Sequence, residues 1–209
     1  MNINILKITA FMIITTCVCC KGPANGFTEA ETEIINGADS IMRVLTVDNP
    51  EDSVVLRAKS SDLSAEALRS EDFKRLAELM LATVTHPSQD GVGIAAPQVG
   101  INRRVVAVQR FDKEDVLPDG NEGCPFKVYP NIRIVSMSES LEPGPEGCLS
   151  VPDRRGEVMR SREIVIEYAD VTRLDEEDYM VRETVYGFTA VIFQHEIDHL
   201  DGVLYIDRL

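Results

Sequence analysis

The feature that most constrains this chain is its last predicted helix, about Gly187 to Leu200, which is apolar on two sides. Phe188, Val191 and Ile192 share one face with His195 and His199, while Ala190, Phe193, Ile197 and Leu200 fill another. Such a helix is stable only when other elements wrap it, so it has to sit at the centre of the fold. Gly202 just beyond it suits the left-handed turn that ends a helix. Within it, Gln194-His195-Glu196-Ile197-Asp198-His199 stands two imidazoles one turn apart on one face, where both can grip a single ion. Glu196 beside them can take a proton from a metal-bound water. The chain has only 3 histidines, and two at this spacing argue for a metal site rather than chance. A rigid central element is also where a site is held most accurately.

Upstream the pattern is mixed. Ser70 is a predicted N-cap, Glu71 and Asp72 suit a first turn, and Phe73, Leu76, Ala77, Met80, Leu81 and Val84 recur at helical spacing until Pro87 ends the run. Arg104 to Gln109, Ile132 to Ser136, Glu163 to Ala169 and Tyr179 to Tyr186 are β-rich, several alternating apolar with polar. Predicted loops carry Pro118, Gly120, Gly123, Pro143, Gly144 and Pro145. The expected fold class is α+β: antiparallel or mixed sheets packed around a central C-terminal metal-binding helix, with one N-terminal helix.

With 209 residues, 44% of them hydrophobic, the chain can build one domain with a sizeable core and is not a disordered protein. Its 21 basic and 35 acidic residues leave a net charge of −14, which argues against nucleic acid or an anionic membrane face as partner. The first twenty residues differ from the rest: Lys7, then the uncharged run from Ile8 to Cys20, then Lys21. That run is too short to span a bilayer comfortably, and without Arg it is unlike a transit peptide. Residues 1–20 read as an export signal, with Thr15 and Thr16 before Cys17 a poor match to a lipoprotein cleavage box. Export or anchoring in a bacterial envelope is the expectation, and a cytoplasmic protein with an apolar tail the alternative. Residues 21–43, with Gly22, Pro23, Gly26, Glu29, Glu31 and Glu33, read as a tether, leaving 44–209 as the catalytic domain.

Of 5 cysteines, Cys17, Cys19 and Cys20 fall in the signal. Cys124 and Cys148 remain, either as a disulfide or with one of them a metal-bound thiolate. The helix needs a third ligand. Only ten residues follow His199, too few for the downstream Glu of thermolysin-like peptidases, and Tyr205 stands where a metzincin has its third His. The ligand therefore comes from upstream: His86, a carboxylate, Cys124 or Cys148. Gly91-Val92-Gly93-Ile94-Ala95-Ala96-Pro97-Gln98-Val99-Gly100 lets a ligand or another backbone approach closely, yet it is neither a phosphate loop nor a dinucleotide fingerprint.

Taken together, Gly91 to Gln98, Glu146-Gly147-Cys148-Leu149-Ser150 and Gln194 to His199 resemble the three motifs of the peptide deformylase family, in the family's order. The similarity runs from about Val44 to Leu209 and takes in Val55-Leu56-Arg57 and Gly202-Val203-Leu204-Tyr205. The resemblance implies that Cys148, His195 and His199 bind one divalent metal, Fe(2+) first, with Zn(2+) or another divalent ion as alternatives. It implies removal of the N-formyl group from formyl-Met peptides by metal-bound hydroxide, with Glu196 as general acid and base. The Gln98 amide and the Leu149 backbone N–H would hold the oxyanion. The partner is then an N-formylated peptide or nascent-chain N-terminus, laid as an added strand between Gly91, Val92, Gly93, Ile94 and Glu146, Gly147. Val92, Phe188, Val191 and Ile192 would line the pocket for its first side chain. Arg160 matches a position that pairs with Glu146, and Asp198 is expected to support a ligand histidine or nearby backbone. Two other readings stand beside this one: an exported metallopeptidase cutting internal bonds, and a non-catalytic metal- or peptide-binding module. Clearing formyl groups from nascent chains also fits poorly with an export signal.

Overall fold

The computed structural model describes residues 26–89, 91–116 and 122–209. The export signal at 1–20 and the opening of the tether at 21–25 lie outside the described residues. Four helices come first: α1 (Glu29–Gly37), α2 (Pro50–Leu56), α3 (Ala65–Leu68) and α4 (Glu71–Val84). The strands are β1 (Gly93–Ala95), β2 (Val105–Gln109), β3 (Asp115–Val116), β4 (Glu122–Gly123), β5 (Phe126–Pro130), β6 (Arg133–Met137), β7 (Leu141–Cys148), β8 (Val151–Ser161), β9 (Glu163–Ala169) and β10 (Met180–Tyr186). Helix α5 (Gly187–Leu200) follows β10 directly, and a 3₁₀ turn, Tyr205–Arg208, ends the chain. Two three-stranded sheets, β1-β2-β5 and β10-β9-β6, stand with the hairpins β3-β4 and β7-β8. These pairings are all antiparallel.

Strand β2 shows how the layers are built. Val105 and Ala107 join the core beneath α1 and α4 with Ile35, Leu76 and Met80, while Val106 and Val108 join the core around α5 with Phe193, Ile197 and Leu200. Alternate side chains of one strand thus enter opposite cores, as the two-residue period of a pleat requires. The sheet lies between α4 and α5, and α5 touches β1, β2, β8, β9 and β10. The central position predicted for the two-sided helix is the observed one. Gly202 has φ 73°, and a Cβ there would lie 2.3 Å from the Arg57 carbonyl oxygen, so only glycine closes this turn.

Four readings need correction. The predicted tether is not one over its described part, because residues 29–37 form α1, and Glu31 and Ile35 are buried. A capping box joins Thr28 and Glu31, and the Glu31 carboxylate accepts Arg103 Nε at 3.0 Å and Arg103 NH2 at 2.7 Å. Among the described residues, four helices rather than one precede the strands, since Asn49 caps α2 and Ser64 caps α3 through their side chains. The segment with Pro143, Gly144 and Pro145 is not a loop but part of β7, whose one partner strand among the described residues is β8. A strand paired on one side tolerates proline because its other edge has no ladder bond to lose. Cys124 and Cys148 form no disulfide with each other, so that alternative falls.

The Glu31–Arg103 pair has an expected consequence. Changing Glu31 to Ala strands a buried guanidinium and should cost roughly 3 kcal/mol, read as a fall in denaturant midpoint at constant slope. An unchanged midpoint would mean that α1 is not part of the cooperative unit.

Candidate active site

The ends of β1, β7 and α5 meet at one cleft. Helix α5 supplies His195, Glu196 and His199, and the turn from β7 into β8 supplies Cys148 and Leu149. The 3₁₀ turn after β1, Ala96–Val99, supplies Gln98. Ligand atoms of Cys148, His195 and His199 all lie within 4.8 Å of one another, with Cys148 Sγ 3.2 Å from His199 Nε2. A four-coordinate ion with sulfur at about 2.3 Å and nitrogen at about 2.0–2.1 Å needs donor separations of about 3.3–3.6 Å. The Cys148–His199 separation is close to this, and one thiolate with two imidazoles is a donor set that could hold a divalent metal ion. His86, the other histidine, instead bonds the Ser88 hydroxyl at 2.7 Å on the exposed end of α4.

The shell around these three side chains orients them. His195 Nδ1–H donates to Glu146 Oε2 at 2.8 Å, which leaves Nε2 as the free lone pair facing the other ligands. Glu146 also accepts Arg160 Nε at 2.7 Å and NH2 at 3.0 Å, the pairing the resemblance implies. Burial works to raise the Glu146 carboxyl, but the hydrogen bonds from His195 and Arg160 outweigh it and hold it at about 2. Asp198, expected beside a ligand histidine, accepts from Arg160 NH1 at 2.7 Å and from Arg208 instead. It braces Arg160 and the chain end, and Glu146 has the histidine-supporting place. No motif signals this, because Glu146 stands 49 residues from His195 and only the packing of β7 against α5 brings them together.

Gln98 is locked by a similar device. Its Oε1 accepts the Ala95 N–H at 2.8 Å, so its NH2 points to Ser150 Oγ at 3.2 Å and Cys148 Sγ at 3.5 Å. Glu196 is 4% exposed, and its Oε2 is buried without a hydrogen-bond partner among the described residues. Burial, the largest effect, pushes the Glu196 carboxyl up to about 7. An acid held near neutrality can both take and return a proton. Gly93 is what lets Glu196 lie there: a Cβ on Gly93 would stand 2.6 Å from Glu196 Oε1 and 2.9 Å from Ile192 Cγ2. Gly93→Ala should therefore displace the carboxylate, lowering kcat at least tenfold and stability by about 1–3 kcal/mol. Paired turnover and thermal-unfolding measurements check this, and wild-type kcat in the variant would refute it.

The cleft has a volume of about 800 Å³. Gly91, Val92, Gly93 and Gln98 line one side, Glu146, Gly147, Cys148 and Leu149 the other, and Phe188, Val191, Ile192, His195 and Glu196 the floor. Phe188 is 50% exposed and rests against Phe111, ring centroids 5.4 Å apart. Ile94 turns its side chain into the core under α4, because side chains alternate along β1, so what it can offer a peptide at this edge is its backbone. Gln89, Pro145, Val151, Asp153, Arg154 and Arg155 also line the cleft. Nothing in the sequence pattern points to them, since charged residues beside a motif carry no sign of which way they face.

A sequence model of the polypeptide deformylase family matches residues 41–209. The chain belongs to the peptide deformylase family. A peptide deformylase from Leptospira biflexa is 36% identical over 170 residues, covering 81% of this chain and 88% of its own. One from Thermus thermophilus is 42% identical over 158 residues, covering 70% and 77%. Among solved structures, the class I type b peptide deformylase from Acinetobacter baumannii bound to Met-Ala-Ser superposes with a TM-score of 0.66 at 35% identity, covering 81% of this chain and 98% of that one. The peptide deformylase from Thermotoga maritima gives 0.62 at 33% identity, covering 82% and 99%. Peptide deformylases are hydrolases that remove the N-formyl group from nascent peptides, and the family is metal-dependent. The internal-peptidase and non-catalytic readings give way to this one.

Proposed function

We propose that Cys148, His195 and His199 hold a divalent ion, Fe(2+) first and Zn(2+) as the alternative, and that Glu196, Gln98 and Leu149 carry out the deformylation. The observation that carries this reading is the ring of three donors with Glu196 and Gln98 facing the same cleft. The ion, when bound, supplies a Lewis acid and brings the pKa of a water toward about 7. Glu196 takes a proton from the attacking water and returns one to the leaving amine nitrogen, so that formate and a free N-terminal amine result. As charge builds on the formyl oxygen, the Gln98 NH2 and the Leu149 backbone N–H donate to it, each worth about 3–4 kcal/mol in the transition state. The Gln98 amide is fixed beforehand by Ala95, so little reorganisation is needed.

Among the described residues, strands β1 and β7 each pair on one side only, with β2 and β8. Their free edges flank the cleft and suit a peptide that adds a strand through backbone bonds. Val92, Phe188, Val191 and Ile192 would take the Met side chain, and Gly93 and Gly147 keep the walls bare. The Met-Ala-Ser peptide in the Acinetobacter relative supports a Met-first substrate. Formate release from formyl-Met-Ala-Ser, run beside the acetylated and unblocked peptides, tests the reaction. Formate from the first alone is expected, and cleavage of an internal bond or no turnover by the metal-loaded chain would contradict it.

We further propose that residues 1–20 direct export or membrane anchoring, supported by the uncharged run from Ile8 to Cys20 between Lys7 and Lys21. Cell fractionation with mass spectrometry of the mature N-terminus tests it. An intact Met1 in the cytosol would overturn it.

A further inference from the structure

Arg154 and Arg155 stand near the start of β8 on the wall of the cleft. Both are exposed, and neither forms an ion pair among the described residues, whereas Arg57, Arg160 and Arg208 each hold a carboxylate. In a chain of net charge −14, two adjacent unpaired guanidinium groups at the active-site mouth run against the background. Arg155 reaches along the cleft wall to Gly147. A Cβ at Gly147 would sit 3.6 Å from Arg155 Cγ and 3.8 Å from Arg155 Cζ, so the side chain lies against the bare strand next to Cys148. The other charges at this wall do not cancel the pair. Asp153 lines the cleft without an ion pair to either arginine, Glu146 is engaged by Arg160 and His195, and Glu196 is buried at the floor.

We infer that Arg154 and Arg155 make this enzyme favour substrates with an acidic side chain at the second or third residue of the formyl-Met peptide. The inference rests on the deformylase reading and on a peptide seated along β7. A strand advances about 3.3 Å per residue. With the reacting carbonyl at Cys148, the second and third side chains come within reach of a guanidinium lying over Gly147. The carboxylate gains a charge-assisted hydrogen bond there, bidentate where the fork aligns. Because the arginines are exposed, water and salt screen the gain, which sets it at about fivefold rather than hundredfold.

The test compares kcat/KM for formate release from C-terminally amidated formyl-Met-Asp-Ser with formyl-Met-Asn-Ser, and formyl-Met-Ala-Asp with formyl-Met-Ala-Asn, using the metal-loaded full chain at low ionic strength. An Asp-over-Asn ratio of about five at one of the two positions is expected. It should shrink with added salt, fall to about one in Arg154→Gln/Arg155→Gln, and invert in Arg155→Glu. A ratio of one at both positions, or a ratio unchanged in the double variant, overturns the inference. Calorimetric binding of the corresponding deformylated peptides carries the same ratio. Absence of formate from every peptide would therefore fault the deformylase reading while the binding ratio still decides this one.

Discussion

Replacing Glu196 by Gln is expected to leave the bound metal undiminished and to lower kcat for formate release by about 10²–10⁴-fold. Gln has nearly the same shape as Glu, so it can occupy the space beneath Gly93 without the clash a larger change would bring. It cannot accept and return a proton. Glu196 lies outside the three-donor group, so the ion has no direct ligand to lose. Elemental analysis beside a formate assay separates the two roles. Loss of the ion in the variant would mean that Glu196 is a ligand and that the division between base and ligands is wrong.

Cys148→Ser is expected to weaken ion binding by more than about 100-fold, beyond the 10–100-fold typical of losing a group that only orients a ligand. Serine keeps the size but replaces a soft thiolate with a hydroxyl that stays protonated at neutral pH. Cys124→Ser is the matched control. Cys124 is free and partly exposed, its carbonyl accepts from Gln109 at 3.3 Å, and it lies outside the donor group. The control should retain metal and turnover. Equal metal content in the two variants would remove Cys148 from the ligand set.

Much of this site was legible in the sequence because its chemistry is packed into short runs. His195 and His199 needed only the helical period to be placed together, and α5 follows the predicted span from Gly187 to Leu200. Helix α4 was equally readable from the Ser70 cap and its apolar spacing. What pattern could not show is what tertiary contacts decide. Thr28 and Glu31 spell a capping box, yet two apolar residues, Ile34 and Ile35, are a thin helical signal without the Arg103 pair and α4 behind them. Pro143 and Pro145 argue for a loop unless the strand is known to be at an edge. The same limit applies to Glu146 and Asp198, where only the packing of β7 against α5 decides that Glu146 meets His195 while Asp198 holds Arg160.

The ligand assignment is tested most directly by X-ray absorption at the zinc edge on the zinc-loaded chain. The account predicts one sulfur at about 2.3 Å with nitrogen or oxygen neighbours at about 2.0–2.1 Å, and loss of the sulfur shell in Cys148→Ser. A shell of nitrogen and oxygen alone in the wild type, or a sulfur that persists in that variant, would contradict it.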